Sequence, residues 1–486
     1  MTSQICSNDV RFNSVQFRRL SDGQRQKLYW AALEVLERTG VRMHLPEAVD
    51  LMRKAGAPIT DGNRVRIPAG LVEKALAVVP KRVTLYDRNG QRAMPVDGYR
   101  SFFGPGSDCL YIIDHRTGDR RQPTLEDVRH AAMVADALPR VNFVMSMFLP
   151  VDVPQMVADR YQMEVMLHHT SKPIVFVTND LPGCIDAVEM AEAAVGGPEM
   201  LQQRPMVACY INVTTGLRHN QEALEKLLYL SKKRLPAIYV PSSQGGITAP
   251  VTVAGSLLMV LTGALAGLVL SQLNSEGAPF IMPGWAAGML DMRTMVMPYA
   301  DPERRGLAAE MAHFLGLPMF SLGGCSDAKT VDQQAGIEAA LTLMTDVLSG
   351  GNIVHDLGYL ESGMSGSLAQ LVICDEVLAW LSNFARGLEI SDDTLALDLI
   401  DEVGPDGQFL DTEHTFAHFR DRWYPDLFER DTYEGWLEKG AKTLGQRAAA
   451  RVDAILQRGP RDPLPTHVAE SLRGIVEESL RRHGAE

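Results

Sequence analysis

The residues able to do chemistry stand directly after short apolar runs. His355-Asp356 ends one run, with Tyr359 three residues on. Asp108 follows Gly104-Pro105-Gly106-Ser107, and Trp285 follows Pro283-Gly284. Asp327 comes after Gly323-Gly324-Cys325-Ser326, Gln334 lies a few residues beyond it, and Phe103 closes the first run. Strong acids and bases are sparse in this set. No HxH pair ends a run, and the Asp, Glu and His density of a metal hydrolase is missing, so no metal is expected there. Glycines such as Gly245-Gly246 and Gly323-Gly324 let a bulky planar ligand approach the backbone. Each candidate also has a plain structural reading. Trp285 can be packing, Asp108 a turn former, and His355 a histidine held by Asp356. The pair His168-His169 reads as a helix C-terminus. Cys325 reads as inert, with Lys329 its nearest basic residue in sequence.

These residues need a scaffold that brings run ends together. From about residue 99 a short apolar run followed by a longer helical stretch recurs eight times. The runs are Arg100–Phe103, Asn142–Phe148, Ile174–Thr178, Met206–Asn212, Ala237–Pro241, Pro279–Met282, Met319–Leu322 and Asn352–His355. Helices are expected near 124–137, 155–169, 182–195, 219–233, 253–273, 302–315, 332–348 and 367–386. Continuous apolar strands separated by helices imply a parallel sheet. Eight such units imply an α/β fold closed as a (β/α)₈ TIM barrel, with its site at the C-terminal strand ends. The rival is a doubly wound open sheet, but no GxGxxG follows the first strand. The expected division is a helical N-terminal region at 1–98, the barrel at 99–388 and a C-terminal helical cap at 389–486. Within the first, helices are expected over Gln24–Thr39, Leu45–Ala55 and Pro68–Val79, with short strands at 63–67 and 82–87.

Composition narrows the class. A chain of 486 residues with 46% hydrophobic and 22% charged residues can build a large core. Its net charge of −13, without any basic block, excludes nonspecific nucleic-acid binding. The six cysteines lack CxxC spacing and read as reduced thiols. The N-terminus lacks the pattern of a signal peptide. The longest apolar run, Val251 to Leu273, is interrupted by Gly, Ser and Thr and reads as a buried helix rather than a membrane span. A soluble, cytoplasmic enzyme is expected.

A set of ordered motifs then adds a resemblance. They are AALEVLERTGV from Ala31, DHRTGDRRQPTLED from Asp114, TSKP from Thr170, GGITAPVTVAG from Gly245 and DMRT from Asp291. They continue with SDAKTVDQQAGIE from Ser326, EVGPDGQFL from Glu402, His414-Thr415 and WLEKG from Trp436. Together they span nearly the whole chain, which resembles the trimethylamine:corrinoid methyltransferase family, whose members without pyrrolysine include glycine betaine:corrinoid methyltransferases. The resemblance implies a (β/α)₈ barrel and methyl transfer from a methylated amine to the cobalt of a corrinoid (cobalamin-type) carried by a small partner protein. It also implies no tightly bound cofactor and a homo-oligomer. All 486 residues are standard, and the lack of pyrrolysine shifts the implied donor to a quaternary amine, with glycine betaine first and proline betaine or carnitine as alternatives. Many relatives carry Asn-Ala-Glu where this chain has Leu261-Thr262-Gly263, so the donor stays open.

Under that reading Trp285, Phe103 and Tyr359 are the aromatic faces for a cation, and Asp108 or Asp327 the carboxylate. His355, Gln334 or backbone N–H groups would hold a betaine carboxylate, and Trp285 and His355 would orient the donor. Two rivals stay open. One is a barrel lyase or aldolase with a Schiff-base lysine, Lys172 or Lys329. The other is a non-catalytic quaternary-amine binding protein.

Overall fold

The computed structural model describes residues 5–8, 15–286, 288–459 and 462–484. Seven regular strands run parallel around a barrel: strand one Arg100–Phe103, three Ile174–Phe176, four Val207–Val213, five Ala237–Pro241, six Phe280–Pro283, seven Met319–Leu322 and eight Ile353–His355. Strand one pairs with eight, eight with seven, and the order continues down to three. The helices between them fall where the sequence places them, for example Leu125–Ala137, Val253–Asn274 and Leu368–Ala385.

Position two differs from expectation. Asn142–Phe148 is not a regular strand; it makes parallel bridges only, Val144 to Ile174 and Phe148 to Cys109. Three features interrupt the ladder. The Asn142 side chain accepts the Phe103 N–H at 2.9 Å while its own N–H donates to Phe103 O at 2.6 Å. Met147 has φ of +62°, which breaks extended backbone. Ile5–Cys6 pairs antiparallel with strand one and takes part of the edge that strand two would use. The barrel still closes, through Asn142 and Val144.

The N-terminal region holds the three expected helices, at Asp22–Glu34, Pro46–Lys54 and Ala69–Val78, the first continuing as a wider turn over Val35–Thr39. Ser21 and Gln24 start it with a reciprocal capping box. Gly40 ends it at φ +73°, and a Cβ there would meet Val65 O at 2.5 Å, so only glycine fits. These helices pack on the long apolar helix Val253–Asn274, whose other side faces the barrel. That double burial explains why its sequence is apolar all round. It and Leu368–Ala385 are long and apolar enough to cross a membrane, yet 72% and 78% of their most apolar windows are buried inside the protein. The strands expected at 63–67 and 82–87 are present as Arg64–Val65 and Val83–Tyr86. The second forms a hairpin with Arg92–Val96, which drives Val83, Leu85, Met94 and Val96 into the floor of the barrel against Phe102, Phe143, Ile238 and Phe320. Floor and mouth are thereby separated, and the lumen is a packed core rather than a pore.

At the other end of the chain, Leu444–Leu456 packs on Leu368–Ala385 and Leu125–Ala137, and Thr466–Arg482 on Leu181–Val195 and Ala158–His169. These contacts clasp the barrel's outer helices.

Candidate active site at the barrel mouth

Alternation along each strand decides which side chains enter the lumen. On strand eight Ile353 lies in the interior cluster, so His355, two residues on, points the same way. On strand four Ala208 is interior, and Tyr210 follows it. Trp285, just past strand six, leans over the same core. The result is an aromatic bowl. Phe320 stacks on His355 with ring centroids 3.9 Å apart, and Trp285 stands 5.2 Å from His355 and 5.8 Å from Phe320. Tyr210 lies 5.3 Å from Phe320 on the other side. Phe320 and His355 are buried, whereas Trp285 and Tyr210 keep part of their faces open. Asn212 and Ser242, hydrogen-bonded to each other, follow Tyr210 and Val240 toward the rim.

The bowl's titratable groups are strongly shifted. His355 Nδ1 donates to the Ser321 carbonyl, which can only accept, so Nε2 carries the lone pair. Burial pulls the His355 pKa down to about 3, leaving a neutral ring. Its Nε2 faces Asp356 Oδ1 at 3.5 Å. Burial lifts the Asp356 carboxyl to about 8, although Arg305 and Arg304 nearby oppose the shift. Asp356 and Asp108 both take left-handed backbone, at φ +75° and +63°. Such strain at two convergent carboxyls is typical of functional positions. Asp108 accepts a hydrogen bond from Gln162 Nε2 at 2.9 Å, and burial raises its pKa despite that bond. Between the two, Gly106 comes so close that a Cβ would overlap the Asp356 carboxylate and the Tyr359 hydroxyl. The Tyr359 O–H donates to Ser107 O, and burial raises this phenol's pKa well above the usual value.

Trp285, His355, Asp108 and Tyr359 thus come together at the mouth. Three other candidates do not. Phe103 belongs to the outer core, because Phe102 is the residue of that pair facing the lumen. The Asp327 carboxylate accepts from the Tyr299 and Ala300 N–H groups at 2.8 and 3.1 Å and from Ser362 Oγ at 2.7 Å, so it clamps the loop after strand six. Gln334 is exposed on the first turn of Gln333–Ser349 and donates to Glu338 at 3.0 Å. His355 also cannot act as donor to a substrate carboxylate, since its one N–H is engaged by Ser321. Lys172 Nζ donates to the carbonyls of Ala135, Leu138 and Val141 at 2.6–2.8 Å, capping a helix C-terminus, and Lys329 is exposed. Neither offers a Schiff-base amine in the bowl. Cys325 has a basic neighbour that its local sequence hides, with Arg305 Nη2 3.5 Å away, yet burial still pushes the thiol up to about 11.

Sequence reasoning missed Tyr210, Asp356 as a mouth carboxyl in its own right, and the buried Arg304-Arg305 doublet. Tyr210 sits inside a run rather than at its end; two-residue alternation back from Asn212 was the available signal. Arg304 and Arg305 lie in the turn before the helix Leu307–Leu315 and donate to the carbonyls of Pro298, Tyr299 and Leu322.

Above the bowl, Gln244–Gly245 pairs with Gly288–Met289 as a short ribbon. Its surroundings expose Ile247, Val251, Met292, Met295 and Val296, with Met295 at 67%. At Leu261-Thr262-Gly263 the helix lies against the strand ends, and a Cβ on Gly263 would stand 2.6 Å from Gly216 O and 2.7 Å from Pro241 Cβ. A carboxylate side chain has no room there.

Residues 3–483 match the model of the trimethylamine methyltransferase (MTTB) family. The chain belongs to that family. It is therefore a methyltransferase. Among its relatives, the trimethylamine methyltransferase MttB of Desulfitobacterium hafniense (strain DSM 10664 / DCB-2) is 31% identical over 488 residues, covering 100% of this chain and 98% of that protein. The glycine betaine methyltransferase of Desulfitobacterium hafniense (strain Y51) is 29% identical over 477 residues, 97% and 99% of the two chains. Among solved structures, the monomethylamine methyltransferase MtmB of Methanosarcina barkeri aligns over 95% of this chain and 88% of that one, with a TM-score of 0.47 and 12% identity.

Proposed function

We propose that this family member moves a methyl group from a quaternary amine, glycine betaine first, to the cobalt(I) corrinoid of a separate cytoplasmic partner protein. The observation that carries the reading is the bowl itself: open faces of Trp285 and Tyr210 above a neutral His355, with Asp356 and Asp108 at its edge. Aromatic faces attract a quaternary ammonium by about 0.5–2 kcal/mol each, and a desolvated carboxylate adds direct charge pairing. The corrinoid would supply the nucleophile and accept the methyl group. The chain's own part is to bind the cation, aim one methyl at the mouth and exclude water. A quaternary nitrogen leaves as a neutral tertiary amine, so no group has to protonate it. That fits a bowl whose histidine stays neutral. Asn212 and Ser242 are positioned as polar contacts for the remainder of the donor.

One feature supports a corrinoid-bearing partner. The exposed Met292, Met295, Ile247 and Val251 make an adaptable apolar rim of the kind that partner proteins cover. The test of the donor is a panel. With a corrinoid acceptor present, glycine betaine, proline betaine, carnitine and trimethylamine are compared for demethylation by mass spectrometry. Turnover of the quaternary amines and not of trimethylamine is expected; turnover of trimethylamine alone would overturn the donor class.

A further inference from the structure

Away from the mouth, one segment lacks what normally holds a fold together. No side chain from Arg386 to Tyr424 is buried. Leu388, Leu397, Leu410 and Phe416 are 65–83% exposed. Two short helices, Asp392–Leu395 and Glu413–His418, nevertheless meet here through polar groups. His414 and His418 are four residues apart, on one helix face, with rings 4.5 Å apart. His414 Nε2 donates to Asp393 O at 3.1 Å, and His418 Nε2 lies 3.3 Å from Asp393 Oδ2. One ligand atom from each of Asp393, His414 and His418 falls within 4.8 Å of the other two. Two imidazoles and a carboxylate are a donor set that zinc-type cations favour.

A second observation points the same way. His418 Nδ1 donates to Asp421 Oδ2 at 2.8 Å. That bond fixes the ring so that Nε2 is the free ligand atom, and Nε2 is the atom turned toward Asp393. A carboxylate behind a ligating histidine is the usual outer partner of a metal-bound imidazole.

We propose that Asp393, His414 and His418 form a site for one divalent zinc-type cation, with water in the fourth position, and that the ion staples the coreless segment. On binding, the cation takes the place between His418 Nε2 and Asp393 Oδ2; a neutral His418 offers its Nε2 lone pair directly, and a charged one first gives its Nε2 proton to solvent. A metal of this kind supplies the cross-link that a small segment cannot obtain from buried apolar area. The inference is independent of the methyl-transfer reading, because none of the three residues lines the bowl.

Tag-free full-length protein is loaded with Zn²⁺, dialysed against metal-free buffer and assayed by elemental mass spectrometry. About one retained zinc per chain is expected for the wild type, and its loss in His418→Ala and in His414→Ala with far-UV circular dichroism unchanged. Asp421→Asn should weaken zinc affinity about 10–100-fold. Zinc should also slow tryptic cleavage after Arg420 and Arg422 in the wild type. A wild type that retains no zinc, or alanine variants that retain as much as the wild type, would overturn the site. Cleavage unaltered by zinc would overturn its stapling role.

Discussion

Asp356 carries the titration that a bound cation would change. Its carboxyl stays protonated to about pH 8 in the folded protein but to only about 3.9 in an unfolded chain. Between those values the native state holds one more proton, so this group's contribution to stability falls as pH rises from about 4 to about 8. Asp356→Asn removes that penalty, and its gain in Tm over the wild type should therefore be larger at pH 8 than at pH 5. A cation in the bowl favours the ionised carboxylate. Binding of a quaternary ammonium at pH 7 should release protons, measurable by calorimetry in buffers of different ionisation enthalpy, and affinity should rise with pH toward 8. Trp285 belongs to the same scale. Trp285→Ala should lower betaine turnover at least tenfold, consistent with the loss of about 1.4 kcal/mol or more of transition-state binding, while circular dichroism stays that of the wild type. Unchanged kinetics would remove the indole from the site.

At the scale of elements, the hydrophobic pattern reports burial and period, and those made most of the barrel legible. Seven strands and eight helices lie within a few residues of their expected places because each is a long apolar or amphipathic run. Strand two failed because the hydrogen bond that the Asn142 side chain accepts from Phe103 N–H and a left-handed Met147 are tertiary features with no local signal. The floor hairpin was half visible: its first strand was expected at 82–87, but its return strand contains Arg92 and Pro95. The candidate site was legible only where a residue lies at or shortly past a strand end on the lumen side. Trp285, His355, Asp108 and Tyr359 qualify. Phe103 fails by one step of the pleat, Gln334 lies on the helix that follows its loop, and Asp327, as far past its strand as Asp108 is past strand one, turns to the loop after strand six by tertiary hydrogen bonds that the sequence does not state. Gly263 illustrates the close packing that results. Gly263→Ala should cost about 1–3 kcal/mol in urea unfolding, since the methyl must displace Gly216 or Pro241.

Across the whole molecule, one end of the barrel is sealed by the hairpin and the other presents the bowl inside an apolar rim. That polarity separates stability from chemistry, as is general for this fold. It also assigns different consequences to changes at the two levels of the mouth. Replacing Met292 and Met295 together by Glu should slow methyl transfer to the corrinoid protein at least tenfold while leaving transfer to free cob(I)alamin near the wild-type rate, if the partner covers the rim and the donor sits in the bowl as proposed. Equal loss with both acceptors would instead place the methionines in the bowl's chemistry.

The central claim, a quaternary amine demethylated onto cobalt, is tested most directly by mixing the protein with reduced cob(I)alamin and glycine betaine and following the visible spectrum. Conversion to methylcobalamin, with dimethylglycine formed in equal amount, is predicted. No conversion with glycine betaine, proline betaine or carnitine, even with the cognate corrinoid protein supplied, would contradict the account and leave a protein that binds such amines without demethylating them.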